Sequence, residues 1–172
     1  MFCTGDQVVY GIHGVCSIVA QEKQIVNRKP VIYLVLEPLG QRGSRYLVPT
    51  QNVAAMAKLR PMLTREQMEA LFASNEIRQN IWIPDENRRK QQYRELIGSG
   101  DREKLMQLVY TLYLHKQRQL DAGKKCHMID DNFLRDAERL LASEVAVVLE
   151  IQQDQARKYI REHLSAEAAA AQ

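Results

Sequence analysis

Cysteine is scarce in this chain. Three occur in 172 residues, Cys3, Cys16 and Cys126, with no C-x-x-C spacing among them. An odd, widely separated set argues against a disulfide framework or a zinc ribbon and for a reducing compartment. Long apolar runs are missing too, and none approaches the roughly 20 residues a membrane-crossing helix needs. The opening MFCTGDQVVY has no charged segment followed by an apolar run, so no secretory leader is expected, and the chain is expected in the cytoplasm. His13, His115, His127 and His163 fall in separate elements without a second ligand at metal-binding spacing. The pairs Gly11/Gly14 and Gly98/Gly100 build no phosphate-cradling glycine motif, and Asp130-Asp131 with Asp136 lacks the glycine and terminal glutamate of a calcium loop. Cys126-His127 is a weak nucleophile–base candidate, because adjacent residues do not normally point at each other. No catalytic residue, metal or cofactor is expected, and an enzyme is the least favoured class.

What is present is ordinary for a globular protein: 45% hydrophobic and 26% charged residues. A net charge of +3 is too small to imply nucleic-acid binding by itself. Its distribution says more. Residues 80–125 carry ten Lys/Arg against six Asp/Glu, and residues 126–172 five against nine, so a local positive face is possible.

The first 50 or so residues read as strands. Gln7–Tyr10, Val15–Ala20, Val31–Leu36 and Ser44–Val48 are short apolar runs, separated by turn signals at Gly11–Gly14, Asn27–Pro30 and Pro38–Gly43. Loops too short for crossover helices predict a small twisted antiparallel sheet or half-open barrel. From Thr64 the period becomes helical. Thr64 with Gln67 fits a capping box ahead of Met68, Leu71 and Phe72. Further helices are predicted from Asp85 or Glu86 to Gly98, from Asp101 to near Gln119, from Asp130 or Asp131 onward with a possible kink near Ser143, and over Asp154–Leu164. The expected class is α+β: a β-rich domain over 1–58, a compact bundle of about five helices over 59–165, and a flexible tail over 166–172. A monomer is expected, since no long apolar seam is left over.

The stretch IWIPDENRRKQQYRELIGSGD, Ile81 to Asp101, holds the only tryptophan, Trp82, followed by Arg88, Arg89 and Lys90 on the first turns of a helix. An aromatic at the mouth of a basic helix can grip a phosphate backbone and press a ring against bases. Equally, Trp82 can plug an interdomain seam while the cations form a solvated face. A second surface is the sheet, whose edge groups are open to strand addition and whose loops carry Arg28, Lys29, Arg42 and Arg45.

Several motifs recur in a fixed order: F-x-x-G-D-x-V-V-Y-x-x-H-G-V from Phe2, the strand Y-L-V-L, V-P-x-x-N at Val48–Asn52, then Trp82, Arg-Arg and S-G-D at Ser99–Asp101. Together they resemble the CarD/CdnL transcription regulators of bacteria, from Phe2 to about Leu164. The resemblance implies a Tudor-like N-terminal module that docks on the lobe of the RNA polymerase β subunit by extending a sheet. It also implies a helical domain that reaches the upstream edge of the promoter bubble. There a tryptophan wedges into the minor groove; Trp82 matches it, with Arg88, Arg89 and Lys90 as phosphate contacts. Ile-Pro-Asp-Glu-Asn stands between Trp82 and the arginines, enough to shift those contacts by a turn. On the sheet, the resemblance places polymerase contacts at Arg28, Arg45 and Tyr46, with Gln24 as the alternative to Arg28. The implied function is a regulator that stabilises the open promoter complex, associated with the nucleoid through polymerase. The alternative is a polymerase-binding adaptor that recruits another protein through the helical domain without touching DNA.

Overall fold

The computed structural model describes residues 2–41 and 43–165; Arg42 and the expected tail after Ser165 lie outside them. The chain divides into two compact units between Met62 and Leu63.

The first unit is a five-stranded antiparallel sheet of β1 (Gln7–Tyr10), β2 (Val15–Val26), β3 (Lys29–Pro38), β4 (Tyr46–Pro49) and β5 (Leu59–Pro61), in the order β4-β3-β2-β1-β5. It stays open, with β4 and β5 at its edges. A one-turn helix, α1 (Val53–Met56), is capped by the Asn52 side chain and precedes β5. Because β5 pairs with β1, the sheet continues through residue 61, past the expected division at 58/59. One side of the sheet packs Val8, Cys16, Ile18, Leu34, Leu36, Val48 and Leu59 together. Burial pushes the Cys16 thiol up to a pKa of about 11, so it behaves as a small apolar residue.

The β2–β3 hairpin is longer than the apolar runs suggest. Pairing continues to Val26↔Lys29, although β1 covers β2 only over Val15–Ser17 and β4 covers β3 only over Tyr33–Leu36. Its turn consists of Asn27 and Arg28, both at positive φ (50° and 61°). That is the mirror-image turn whose twist matches a right-handed hairpin. Asparagine accepts this conformation readily; arginine seldom does.

The second unit packs α2 (Arg65–Ala73), a short 3-10 turn (Glu76–Arg78), α3 (Glu86–Ser99), α4 (Arg102–Asp121), α5 (Met128–Leu149) and α6 (Gln153–Leu164) around one apolar core. Helix starts follow capping chemistry. Thr64 and Gln67 form the predicted capping box, Asp85 accepts from the Arg88 N–H at 2.7 Å, and Asp101 accepts from the Lys104 N–H at 3.1 Å. α3 ends at Gly100 in the left-handed region, which glycine reaches without strain.

α5 departs from expectation at its start. It begins at Met128 with His127 in the cap position, and neither Asp130 nor Asp131 caps it. Asp130 is committed to Arg89 and Asp131 to Lys116. The helix then runs without a break to Leu149, Ser143 bonding back to the Leu140 carbonyl at 2.7 Å. Glu144, buried in α5, accepts from the Arg102 guanidinium at 2.6 Å and from the Leu63 N–H at 3.2 Å. Among the described residues, no helix is long and apolar enough to cross a membrane.

Candidate functional site

The segment Gln79–Pro84 has no regular structure, so its backbone groups need partners from outside. Side chains of the neighbouring helices supply them. Thr111 of α4 is buried; its hydroxyl accepts from the Ile81 N–H at 2.9 Å and donates to the Gln79 carbonyl at 3.4 Å. The Tyr93 hydroxyl of α3 donates to the Ile81 carbonyl at 3.3 Å. Burial of that phenol raises its pKa to about 12, so it remains a donor across the physiological range. The backbone N–H of Trp82 donates to the Asn80 side-chain oxygen at 3.0 Å, a contact within the segment itself.

The Trp82 indole is half-buried against the helical core. The His115 ring lies almost parallel to it, 3.6 Å between centroids at 13°. The Arg89 guanidinium also lies over the indole, 4.3 Å from the ring centroid, in cation–π geometry. Burial holds the His115 imidazole below the ordinary histidine pKa; Asp130 opposes that shift, while Arg89, His127 and Arg118 reinforce it. The neutral form of the ring is thereby favoured.

The basic cluster divides into three different situations. Arg88 is exposed and makes no ion pair among the described residues. Lys90 is paired with Glu86 one turn earlier, and that pairing lowers the Glu86 pKa. Arg89, expected as a third phosphate contact, has a side chain only 4% exposed. Its Nε and Nη2 donate to the two Asp130 oxygens at 2.9 and 3.2 Å, and its Nη1 donates to the carbonyls of Ile83 and Pro84 at 2.9 and 3.3 Å. Four donor contacts are thus spent inside the unit. The physical reason is helical phase. Arg89 lies one turn ahead of buried Tyr93 on the inward stripe that continues to Leu96 and Ile97, while Arg88 lies about 100° away.

On the sheet, the three residues expected to meet polymerase fall in two places, Arg28 apart from adjacent Arg45 and Tyr46. Arg28 is exposed at the hairpin turn. Arg45 bonds Glu37 at 2.8 Å on the surface. Tyr46 begins edge strand β4, opposite Leu36, and its ring lies 4.0 Å from His13 and 6.1 Å from Tyr10. At about 3.3 Å per residue, the β3 register puts Arg28 roughly 25 Å from the Tyr46 end.

Sequence reading missed His115 and Asp130 as parts of the Trp82 site. His115 was one of four isolated histidines, and nothing in its spacing pairs it with a tryptophan 33 residues earlier. For Arg89 the signal existed in the Tyr93–Leu96–Ile97 stripe. The Cys126-His127 pair resolves into separate roles: the Cys126 thiol faces the Lys116 carbonyl at 4.0 Å, and His127 precedes α5. Among the described residues, no group of three His, Cys, Asp or Glu side chains is placed to hold a metal.

Taken together, an open antiparallel sheet followed by a helical unit presenting one supported tryptophan defines a two-part α+β protein. Residues 2–61 match the family model of the CarD-like/TRCF RID domain, and residues 66–161 that of the CarD C-terminal domain. The chain belongs to the CarD family, whose members are non-catalytic transcription regulators that interact with RNA polymerase.

Proposed function

We propose that the sheet unit docks on the lobe of the RNA polymerase β subunit and that Trp82 wedges at the upstream edge of the melted promoter, stabilising the open complex. The observation that carries this reading is the placement of the indole: partly exposed, on a loop pinned by Thr111, Tyr93 and Arg89, with exposed Arg88 in the first turn of the helix that follows.

Docking draws on the open sheet. The edge of β4, which carries Tyr46 with Arg45 just before it, offers backbone groups for strand addition. Arg28, at the far end of the hairpin, adds a contact to an acidic partner whose footprint reaches that distance. Attachment to polymerase raises the local concentration of the helical unit to about the millimolar range, so the DNA contact can be weak and indifferent to sequence. Insertion of the indole edge at the fork needs to contribute only about 1–2 kcal/mol to lengthen open-complex lifetime several-fold to some thirtyfold. Arg88 and Lys90 supply the salt-sensitive phosphate contacts.

The test is Trp82→Ala. It should leave polymerase binding intact and remove most of the effect on open-complex lifetime; an unchanged lifetime would sink the wedge. The adaptor reading gains from the burial of Arg89 against Asp130 and from the pairing of Lys90 with Glu86. Footprinting of promoter complexes with and without the protein separates the two, since an adaptor leaves the upstream edge unchanged.

A further inference from the structure

We propose that His115 and the Arg89–Asp130 pair are positioning residues for Trp82, holding the indole in one orientation before nucleic acid is met. This rests on the wedge reading above and deepens it. A tryptophan on an irregular loop would ordinarily sample several rotamers and lose that freedom on binding. Here three helices hold it: α3 through Arg89 and Tyr93, α4 through Thr111 and His115, and α5 through Asp130.

One guanidinium does two jobs. It lies over the indole, and it binds the carbonyls of Ile83 and Pro84, the two residues that follow Trp82. Asp130 fixes that guanidinium through both carboxylate oxygens, so side-chain orientation and backbone path are set by the same group. A surface arginine could not do this, because water would compete for its donors; Arg89 is buried. The His115 ring adds a flat aromatic contact from α4, whose buried face includes Leu108, Thr111 and Leu112. A side chain ordered in advance saves its immobilisation cost at the moment of binding, an advantage of roughly two- to tenfold in affinity or lifetime.

The charged and titratable groups acting on His115 are Asp130 and His127 at the start of α5, Arg89 of α3 and Arg118 of its own helix. Protonation would put an imidazolium beside a buried guanidinium and against the indole. An imidazolium in contact quenches indole emission more than neutral imidazole does. As the chain has a single tryptophan, its fluorescence reports this stack directly.

The experiment compares the full-length protein with His115→Phe and His115→Ala. The wild type should brighten as pH rises through a transition below the ordinary histidine value. His115→Phe should lose that transition and keep the emission maximum; His115→Ala should lose it and shift to the red. In open-complex lifetime, His115→Phe should stay within about twofold of wild type, and His115→Ala should fall roughly two- to tenfold, less than Trp82→Ala. Rescue by phenylalanine distinguishes positioning from mere structure. Identical emission in wild type and His115→Ala, or equal lifetime losses in the two variants, would overturn the proposal. Should Trp82→Ala leave lifetime untouched, the wedge fails, and the emission titration still tests the stack by itself. Should Trp82→Ala abolish the effect while His115→Ala does not, the positioning role alone is lost.

Discussion

The sheet unit and the helical unit bury different things. Among the described residues, those before Met62 enclose an apolar cluster of seven side chains and no buried charge, whereas the helical unit buries Arg89, Asp130 and Glu144. Apolar packing is non-directional and leaves the sheet's edges and the outer hairpin free to meet a partner. Buried ion pairs add little net stability over apolar residues of the same volume, yet they fix direction. Each pair here reaches across about 40 residues of sequence: Arg89 to Asp130 and the loop before α3, Arg102 to Glu144, which also holds the Leu63 N–H. The contrast suggests one unit suited to being joined and another suited to presenting a single rigid feature.

The largest effect should come from breaking one partner of the buried pair. Asp130→Ala leaves a guanidinium without its counter-charge and should destabilise the helical unit by about 3–5 kcal/mol, while Arg88→Ala, one residue from its partner, should stay within about 0.5 kcal/mol. Denaturant unfolding followed by Trp82 emission measures both, because the only tryptophan lies in that unit. Equal effects from the two substitutions would erase the distinction between structural and surface arginine.

The sheet should answer to volume instead. Leu36→Ala, in the centre of its cluster, should cost about 2–4 kcal/mol. Arg45→Ala, on the surface just before edge strand β4, should cost under about 0.5 kcal/mol while weakening polymerase capture. Thermal unfolding and a binding assay on the same pair of variants would show whether core and docking surface separate.

The smallest effect concerns pH. His115 has its folded-state pKa lowered by burial, so the folded helical unit takes up that proton later than the unfolded chain does. Its contribution is therefore complete above the ordinary value of about 6.5 and is lost as pH falls through the lowered one. Urea midpoints measured above and below that window should differ in the wild type and differ less in His115→Phe.

Much of the architecture was legible because local chemistry specified it. Thr64, Asp85 and Asp101 cap the helices that capping rules assign to them, and Gly100 ends α3 where an αL residue is needed. The outer half of the β2–β3 hairpin was not, because Gln21-Glu22-Lys23-Gln24 lacks strand-like apolar alternation and is held by cross-strand pairing. β5 was missed for a related reason: three residues carry too little pattern, and its partner is β1, some 50 residues earlier. At the site, Trp82 stood out as the single indole beside cations. What stayed hidden was the sorting of Arg88, Arg89 and Lys90 into exposed, buried and paired, and the arrival of His115 and Asp130 from distant helices. Composition lumps such neighbours together; only rotation around the helix axis separates them.

The turn at Asn27–Arg28 carries a consequence for engineering. An arginine held at a φ of 61° sits where its Cβ crowds the backbone, a penalty of about 1–2 kcal/mol that glycine escapes. Glycine there would relax the loop and erase the cation in one stroke. Firmness of the hairpin and electrostatic reach at its apex are thus traded against each other at a single position.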